Sequence, residues 1–428
     1  MVSRRPRLML AALVALLVVL AVSVAIETGH ESGGPPLGPP ELRTRTLPAD
    51  AFVNSIGVSV HLPYTDTAYA RQAEIIARLR ELGIGHIRDG MPLGRAPLLQ
   101  GLPALRAAGI RATLVGEIGR DPSADVAESV AAMGGAIDAF EAPNELDNSG
   151  APDWAAQLRA YMPALASAVR RQAPGVPVIG PSLIDSGNRT KLPRSLPGMF
   201  NGHPYSGGVE PEPALTQALL ERHITAPRRP AVFTEAGYHN AMNATTGQAP
   251  VSEAAAAIYI PRLLMTAFGA GVKRTFIYEF VDEKPDPGLI DPEQHFGLLR
   301  NDLSPKPAFT AVQTMIRAVE HSSGPASSPN LGWRLADNGG QEVKQVTLER
   351  RDGSHVIALW RPVSVWDIEK RHPIDPGHVR VRLRFGGFGA RDVTVWRPSV
   401  STQPVLRRAQ ARELGLTLGA DLVLVSVR

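Results

Sequence analysis

Short apolar runs alternate with helical patterns along most of this chain, and few folds accommodate such a rhythm. It extends from about residue 53 to residue 320 of the 428 residues, with a repeat of roughly 30 residues. Residues 56–61 and 84–89 are the first two strand candidates, and a helical pattern that stops at Gly83 lies between them. The alternation favours parallel strands joined by crossover helices over an all-β sandwich. We therefore predict an α/β fold, a (β/α)8 TIM barrel over residues 49–322.

The pattern changes after residue 325. Residues 379–385 alternate apolar side chains with arginines, which is the period of two expected for a strand with one buried face. Further β-branched runs at residues 355–360 and 422–427 are separated from it by turn signals. No helix is required here. Residues 326–428 are therefore predicted to form a C-terminal antiparallel, β-sandwich-like domain.

The N-terminal sequence is typical of an export signal. Three arginines among the first seven residues precede a run of about 19 mostly apolar residues, which fits the charged and hydrophobic regions of a signal peptide. The run is also almost long enough to cross a bilayer, which takes roughly 20 residues. Signal peptide and membrane anchor both stay open for residues 1–26, and the Pro- and Gly-rich residues 27–48 predict an extended linker. In either case we expect an extracytoplasmic protein, secreted or anchored to the membrane by this segment.

Composition bears on the partners. The net charge is only +4, and three of the basic residues fall in the N-terminal segment, so the clustered basic face of a nucleic-acid-binding protein is not expected. There is no cysteine, which excludes disulfides and thiolate metal sites. His61, His86 and His203 lie on separate predicted strands, and the sequence has no His-Glu-x-x-His helix. We predict no nucleic-acid partner, no metal centre and no cofactor.

Two glutamates stand where predicted strands end. Glu145 follows the apolar fourth strand, and Glu235 ends the seventh. In a TIM barrel the C-terminal strand ends converge on one mouth, so these side chains are expected to meet there. Hydrolysis of a glycosidic bond needs one carboxyl group to deliver a proton and another to stay ionised. Glu145 suits the first role and Asn144 can donate to a sugar hydroxyl, whereas Glu235 suits the second, with Arg88 and Tyr205 as donors that keep it ionised.

Several residues at the predicted strand ends also have a purely structural explanation. An asparagine and a glutamate before a helix often cap it. Arg88 can form a structural ion pair with Asp89 or Glu117. Tyr278 and Glu279, in the eighth strand, can contact a substrate or satisfy backbone groups of the loop.

A set of residues at the strand ends carries a family resemblance. The set consists of Arg88 after the second strand, Asn144-Glu145 after the fourth, His203-Pro204-Tyr205 after the sixth and Glu235 after the seventh. It resembles the clan A retaining glycoside hydrolases, TIM-barrel enzymes that include cellulase-like and xylosidase-like families. Residues 296–309 are similar to the segment by which those enzymes enter their last helix. The resemblance implies that Glu145 is the general acid/base, that Glu235 is the nucleophile, and that Arg88, Asn144, His203 and Tyr205 line the −1 subsite.

The expected function is that of an exported retaining glycosidase with a carbohydrate substrate. It would cleave O-glycosidic bonds of a polysaccharide or oligosaccharide by double displacement, with Tyr278 and Glu279 as further substrate-binding candidates. Retention predicts carboxyl groups about 5 to 5.5 Å apart. Two other functions stay open at this point: a catalytically silent glycan-binding barrel, and a transglycosylase that remodels envelope polysaccharide.

Overall fold

In the computed structural model of the protein, the described residues are 46–321, 332–386 and 391–428. The expected signal peptide or anchor over residues 1–26, and all but the last three residues of the expected linker, lie outside these ranges. Within them, no helix has both the length and the apolar character needed to cross a membrane.

Eight parallel strands form the predicted barrel. In chain order the first nine strands are β1 (Thr46–Pro48), β2 (Ile56–Ser59), β3 (His86–Gly90), β4 (Arg111–Val115), β5 (Ile137–Glu141), β6 (Val178–Ile179), β7 (Phe200–Gly202), β8 (Ala231–Ala236) and β9 (Thr275–Ile277). Strands β2 to β9 pair in the order β6-β5-β4-β3-β2-β9-β8-β7. The two strands at the ends of this order meet at a parallel bridge between Ile179 and Met199, which brings the barrel close to closure.

Helices follow most barrel strands and cover the outside of the sheet. They are α1 (Ala49–Val53), α2 (Gln72–Leu82), α3 (Ala96–Ala107), α4 (Pro122–Met133), α5 (Trp154–Gln172), α6 (Glu212–Thr225), α7 (Glu253–Gly269) and α8 (Pro307–Glu320). Between β6 and β7 the sequence has no helical period, and a short 3-10 helix (Ser186–Lys191) lies there. Gly83 ends α2 in a left-handed conformation that glycine adopts without strain.

Helix α7 differs from its prediction. The sequence predicts an interruption at Pro261, but the helix continues through that residue. Proline removes one backbone hydrogen bond, and that loss is outweighed where the surrounding turns are buried. Both Ile260 and Leu263 are almost completely buried, and Ser252 caps the helix by accepting a hydrogen bond from the backbone N–H of Ala255.

The C-terminal region is the predicted antiparallel β-sandwich. Its strands are β10 (Trp333–Asp337), β11 (Lys344–Glu349), β12 (His355–Trp360), β13 (Trp366–Asp367), β14 (His372–Pro373), β15 (Val379–Phe385), β16 (Arg391–Trp396), β17 (Leu406–Ala411), β18 (Glu413–Leu418) and β19 (Val423–Val427). One sheet has the order β1-β11-β12-β19-β16-β17 and the other β10-β15-β18. Their inner faces share one apolar core, to which β15 contributes every second residue.

Barrel and sandwich are joined by buried polar contacts. The three residues of β1, at the end of the expected linker, pair in parallel with β11 of the sandwich. Arg262 of α7 is fully buried; it pairs with Glu212 at 2.6 Å and donates to the carbonyl oxygens of Val363 and Ala420. The indole N–H of Trp360 donates to the same Glu212 carboxylate at 2.9 Å. Because a buried charge is costly unless it is paired, these contacts fix the sandwich against α6 and α7.

Candidate active site

The C-terminal ends of the barrel strands surround a single mouth, as TIM-barrel geometry requires. The mouth holds a cavity of about 860 Å³. Its lining includes most of the residues singled out from the sequence, namely Arg88, Asn144, Glu145, Tyr205, Glu235 and Tyr278. His203 and Glu279, the two remaining candidates, are not part of the lining.

The two glutamates face each other across this cavity. One carboxylate oxygen of Glu145 and one of Glu235 lie within 4.8 Å of each other, with a nitrogen of His203 in the same cluster. The Nδ1 atom of His203 is 2.6 Å from Glu145 Oε1 and 3.5 Å from Glu235 Oε2. Residues 90 positions apart in sequence therefore share one small space, as the strand-end argument predicts.

Glu145 has an unusual backbone. Its φ is 41° and its ψ 44°, in the left-handed region that side chains other than glycine rarely adopt. Such a conformation costs about 1–3 kcal/mol and is concentrated at functional sites. It turns the chain just beyond β5, and the backbone N–H of Glu145 donates to the Ser182 hydroxyl at 3.2 Å. The Glu145 side chain is 19% exposed, about twice as much as the Glu235 side chain at 9%.

Glu235 is held by donors on both oxygens. Arg88 NH1 donates to its Oε1 at 2.6 Å, and the phenol of Tyr205 donates to its Oε2 at 2.7 Å. Burial by itself raises the pKa of Glu235, but the positive charges of His203 and Arg88 and these hydrogen bonds outweigh it. The net pKa lies below the ordinary glutamate value, so Glu235 stays ionised at neutral pH.

Arg88 also pairs with a glutamate that sequence reasoning missed. Its Nε and NH2 atoms donate to the two oxygens of Glu141 at 2.8 and 2.9 Å, a bidentate contact in the interior of the barrel. The ion pairs with Asp89 or Glu117 that the sequence left open do not form; Glu117 pairs with Arg95 instead. The available signal for Glu141 was an acidic residue at the end of an apolar strand, four positions before Glu145.

Asn144 is oriented by its carbonyl oxygen. Arg88 NH2 donates to Oδ1 at 2.7 Å, and the Ser182 hydroxyl donates to the same atom at 3.2 Å. Because both contacts occupy the oxygen, the amide N–H groups are the part of this side chain left to donate into the cavity.

The side chain of His203 is 2% exposed and contacts both carboxylates, and the expectation that it lines the −1 subsite stays a prediction. Its Nε2 is 2.9 Å from the Thr234 hydroxyl. That hydroxyl has one proton, and it lies within hydrogen-bonding distance of two acceptors, Glu141 Oε1 and Asn201 Oδ1. Nε2 therefore donates to Thr234, and Nδ1 faces Glu145 Oε1. His203 thus links the Thr234 hydroxyl to the Glu145 carboxyl group and fixes the position of that carboxyl group.

The eighth strand contributes one wall residue and one buried acid. Tyr278 lines the cavity with its ring edge-on to Tyr205 and Phe296, at centroid distances of 6.4 and 5.3 Å. Glu279 is joined to it by a cis peptide bond and is fully buried, where it accepts a hydrogen bond from Tyr69 at 2.9 Å. Its carboxylate does not line the cavity, and the expectation that Glu279 binds substrate directly stays a prediction.

This barrel with paired acids at its mouth is similar to solved structures of glycoside hydrolases. A monomeric β-xylosidase from Caulobacter crescentus CB15 aligns with a TM-score of 0.58 at 16% identity, over 90% of this chain and 98% of that chain. A glycoside hydrolase family 39 enzyme from Xanthomonas axonopodis pv. citri gives 0.56 at 16% identity, over 90% and 96% of the two chains. A family 39 glycoside hydrolase from Bacteroides cellulosilyticus WH2 gives 0.55 at 14% identity, over 90% and 83%.

No protein-family model matches the sequence, and no curated protein matches it. At the identities of the structural matches, the likeness establishes the fold: a TIM barrel followed by a β-sandwich domain. The expected resemblance to clan A glycoside hydrolases is therefore confirmed at the level of the fold.

Proposed function

We propose that this protein is a retaining glycoside hydrolase with Glu235 as nucleophile and Glu145 as general acid/base. One observation carries the proposal: a carboxylate oxygen of Glu145 lies within 4.8 Å of one of Glu235, across an open cavity. Retaining enzymes keep their two carboxyl groups about 5 to 5.5 Å apart, whereas inverting enzymes need roughly 6.5 to 9.5 Å to admit a water between them. The shorter spacing favours double displacement.

The surrounding contacts suit these roles. In the first step an oxygen of Glu235 forms a bond to the anomeric carbon while the bond to the leaving oxygen breaks, and the proton of the Glu145 carboxyl group passes to that oxygen. In the second step Glu145 takes a proton from water, and the oxygen of that water replaces Glu235 at the anomeric carbon. Arg88 and Tyr205 keep Glu235 ionised for the first step, and Asn144 can donate to the sugar 2-hydroxyl as charge develops.

The substrate class follows from the cavity and the structural neighbours. Tyr205, Tyr278 and Phe296 give one wall an aromatic surface of the kind that packs on sugar rings. The Caulobacter crescentus neighbour is a β-xylosidase. We propose a carbohydrate substrate with an equatorial O-glycosidic bond of this general type, in a polysaccharide or oligosaccharide.

We further propose that the enzyme works outside the cytoplasm, either released after cleavage of residues 1–26 or held by them at a membrane. The basic and apolar sequence of that segment supports export. Cell fractionation and the intact mass of the mature protein distinguish the two forms. Recovery of the full-length chain in the cytoplasm, with no exported fraction, would contradict the proposal.

Hydrolysis of a panel of aryl glycosides tests the function, and the Glu145→Ala variant tests the roles. With an activated leaving group that needs little proton transfer, this variant is expected to form the glycosyl-enzyme but to stall at its hydrolysis, about 10²- to 10⁴-fold below wild type. Azide, a nucleophile that needs no general base, should restore turnover and yield a glycosyl azide of retained configuration.

Three outcomes would contradict the proposal. Absence of turnover with every glycoside, combined with measurable binding, would indicate a silent glycan-binding barrel. Dominant transfer of the sugar to an added acceptor would indicate a transglycosylase. Failure of azide to rescue Glu145→Ala would remove Glu145 from the acid/base role.

A further inference from the structure

A second cluster of ligating side chains lies beside the catalytic pair, at the ends of β2 and β9. His61 follows β2, and Glu279 and Glu283 follow β9, its neighbour in the sheet. One ligating atom from each of the three lies within 4.8 Å of the others. His61 lines the catalytic cavity, whereas Glu279 and Glu283 lie outside the lining, and the cluster includes neither catalytic glutamate. We propose that His61, Glu279 and Glu283 bind a divalent first-row transition cation such as Zn²⁺ or Mn²⁺.

Two buried atoms of the cluster have no partner. The Glu279 side chain is 0% exposed, and its Oε1 atom accepts no hydrogen bond although it is inaccessible to water. The Nε2 atom of His61 is also inaccessible and unpartnered, and it lies 3.5 Å from Glu279 Oε2, outside good hydrogen-bond geometry. Burying a polar atom without a partner costs about 1–3 kcal/mol. A cation between the imidazole and the carboxylates would satisfy both atoms at once.

The negative charge of the cluster is not balanced by the protein. Lys284 follows Glu283 directly, but its ammonium group pairs with Asp66 at 2.6 Å. The neighbouring Asp282 is neutralised by Lys306 at 2.8 Å, which leaves Glu279 and Glu283 without a lysine or arginine partner among the described residues.

The ligand set indicates the class of ion. One imidazole and two carboxylates suit Zn²⁺ and Mn²⁺ better than Ca²⁺, which prefers six to eight oxygens. The Tyr69 phenol donates to Glu279 at 2.9 Å and fixes that carboxylate, as outer partners of metal ligands commonly do. Glu283, the third ligand, is half-buried.

The position of the ion gives it a structural role at the cavity. The ring of His61 stacks on Tyr64 at a centroid distance of 4.8 Å and meets Tyr278 edge-on at 5.7 Å. Both tyrosines line the cavity. A bound cation would therefore fix the aromatic wall beside the substrate, and it takes no part in the two displacement steps.

Calorimetric titration tests the site independently of catalysis. The protein is dialysed against a chelator, then against metal-free buffer at pH 7, and titrated separately with Zn²⁺, Mn²⁺ and Ca²⁺. We expect one equivalent of Zn²⁺ or Mn²⁺ to bind, at least tenfold more tightly than Ca²⁺. Glu283→Gln and His61→Gln should each weaken that affinity at least tenfold.

Glu293→Gln is the matched control, since Glu293 lies in the same acidic region but not among the three ligands. Its affinity for the ion is expected to stay within about threefold of wild type. Equal losses in Glu293→Gln and Glu283→Gln would show diffuse attraction to acidic groups and would overturn the site. So would the absence of binding at millimolar metal, tighter binding of Ca²⁺, or unchanged affinity in both ligand variants.

Discussion

The two ends of the barrel use charge in opposite ways. At the N-terminal end, Asp138 accepts hydrogen bonds from His86 and from Arg111 at 2.6 Å, and pairs with Arg274 at 3.0 Å. His86 is held from its other side by Asn54. One buried acid is thus surrounded by basic groups. At the C-terminal mouth the acids outnumber their basic partners, and Arg88 alone serves two glutamates.

The pKa values follow this difference. Burial raises the pKa of Asp138, but the hydrogen bond and charge of His86 and the charge of Arg274 outweigh it, so the net pKa is lowered. At the mouth, burial raises the pKa of Asp89 to about 7, and burial together with Glu293 raises that of Glu283 to about 7. The charged residues at the N-terminal end of the barrel therefore stabilise the fold. The acids at the C-terminal mouth lower its stability, as charged groups at functional sites commonly do. Glu235 is the exception at the mouth, because its pKa is lowered by its own donors.

The largest effects are expected from two variants, one at each end of the barrel, of which one lowers activity and the other lowers stability. Glu235→Gln is expected to lower kcat by at least about 10⁴-fold, because it removes the nucleophile, with the unfolding free energy kept within about 1 kcal/mol. Asp138→Ala is expected to lower the unfolding free energy by about 3 kcal/mol, because it removes the carboxylate shared by the buried His86 and the mostly buried Arg274, with kcat near that of wild type. Denaturant unfolding and steady-state kinetics on both proteins check this.

The contribution of Asp138 to the unfolding free energy should depend on pH. The folded pKa of Asp138 is below its unfolded value of 3.8, so its contribution is present above that value and is lost as pH falls through the folded pKa. The difference between wild type and Asp138→Ala should therefore shrink in acid. A loss of activity in Asp138→Ala equal to that in Glu235→Gln would break the distinction between the two ends.

A smaller effect is expected from Tyr205→Phe. This change removes one hydrogen bond to the charged Glu235, which is worth about 1.5 kcal/mol and predicts a loss of about tenfold in kcat/KM. Because the phenol lowers the pKa of Glu235, its loss raises that pKa, and the acidic limb of the pH profile should move to higher pH. Tyr64→Phe, which lacks this contact, is the control. A limb that stays in place would mean that Tyr205 does not tune Glu235.

The smallest effect is a gain in stability. In metal-free protein, Glu283→Gln should raise the unfolding free energy by about 1 kcal/mol at pH 8, after allowance for solvent screening of a half-buried group. The sign follows because the folded pKa, about 7, lies above the unfolded value of 4.5, so the cost grows between these values as pH rises. At pH 4 the two proteins should be equally stable. Destabilisation at pH 8 would contradict the excess of acid at the mouth.

The fold and the meeting of Glu145 and Glu235 at one mouth could be predicted from the sequence, because both depend on short-range patterns. Strand and helix periods predict the barrel, and strand ends bring Glu145 and Glu235 to one mouth. The sequence did not predict that Glu141 pairs with Arg88 or that Glu279 is buried under Tyr69, because these contacts depend on side-chain packing between distant strands. Nor did it predict the continuity of α7 through Pro261, where burial outweighs local propensity.

The configuration of the first-formed product tests directly whether hydrolysis proceeds by double displacement with retention. Wild-type enzyme is mixed with an aryl glycoside that it hydrolyses, and proton NMR follows the anomeric signals before the free sugar equilibrates. Because carboxylate oxygens of Glu145 and Glu235 lie within 4.8 Å of each other, we expect the first sugar released to have the same anomeric configuration as the substrate. Release of the opposite anomer first would contradict it.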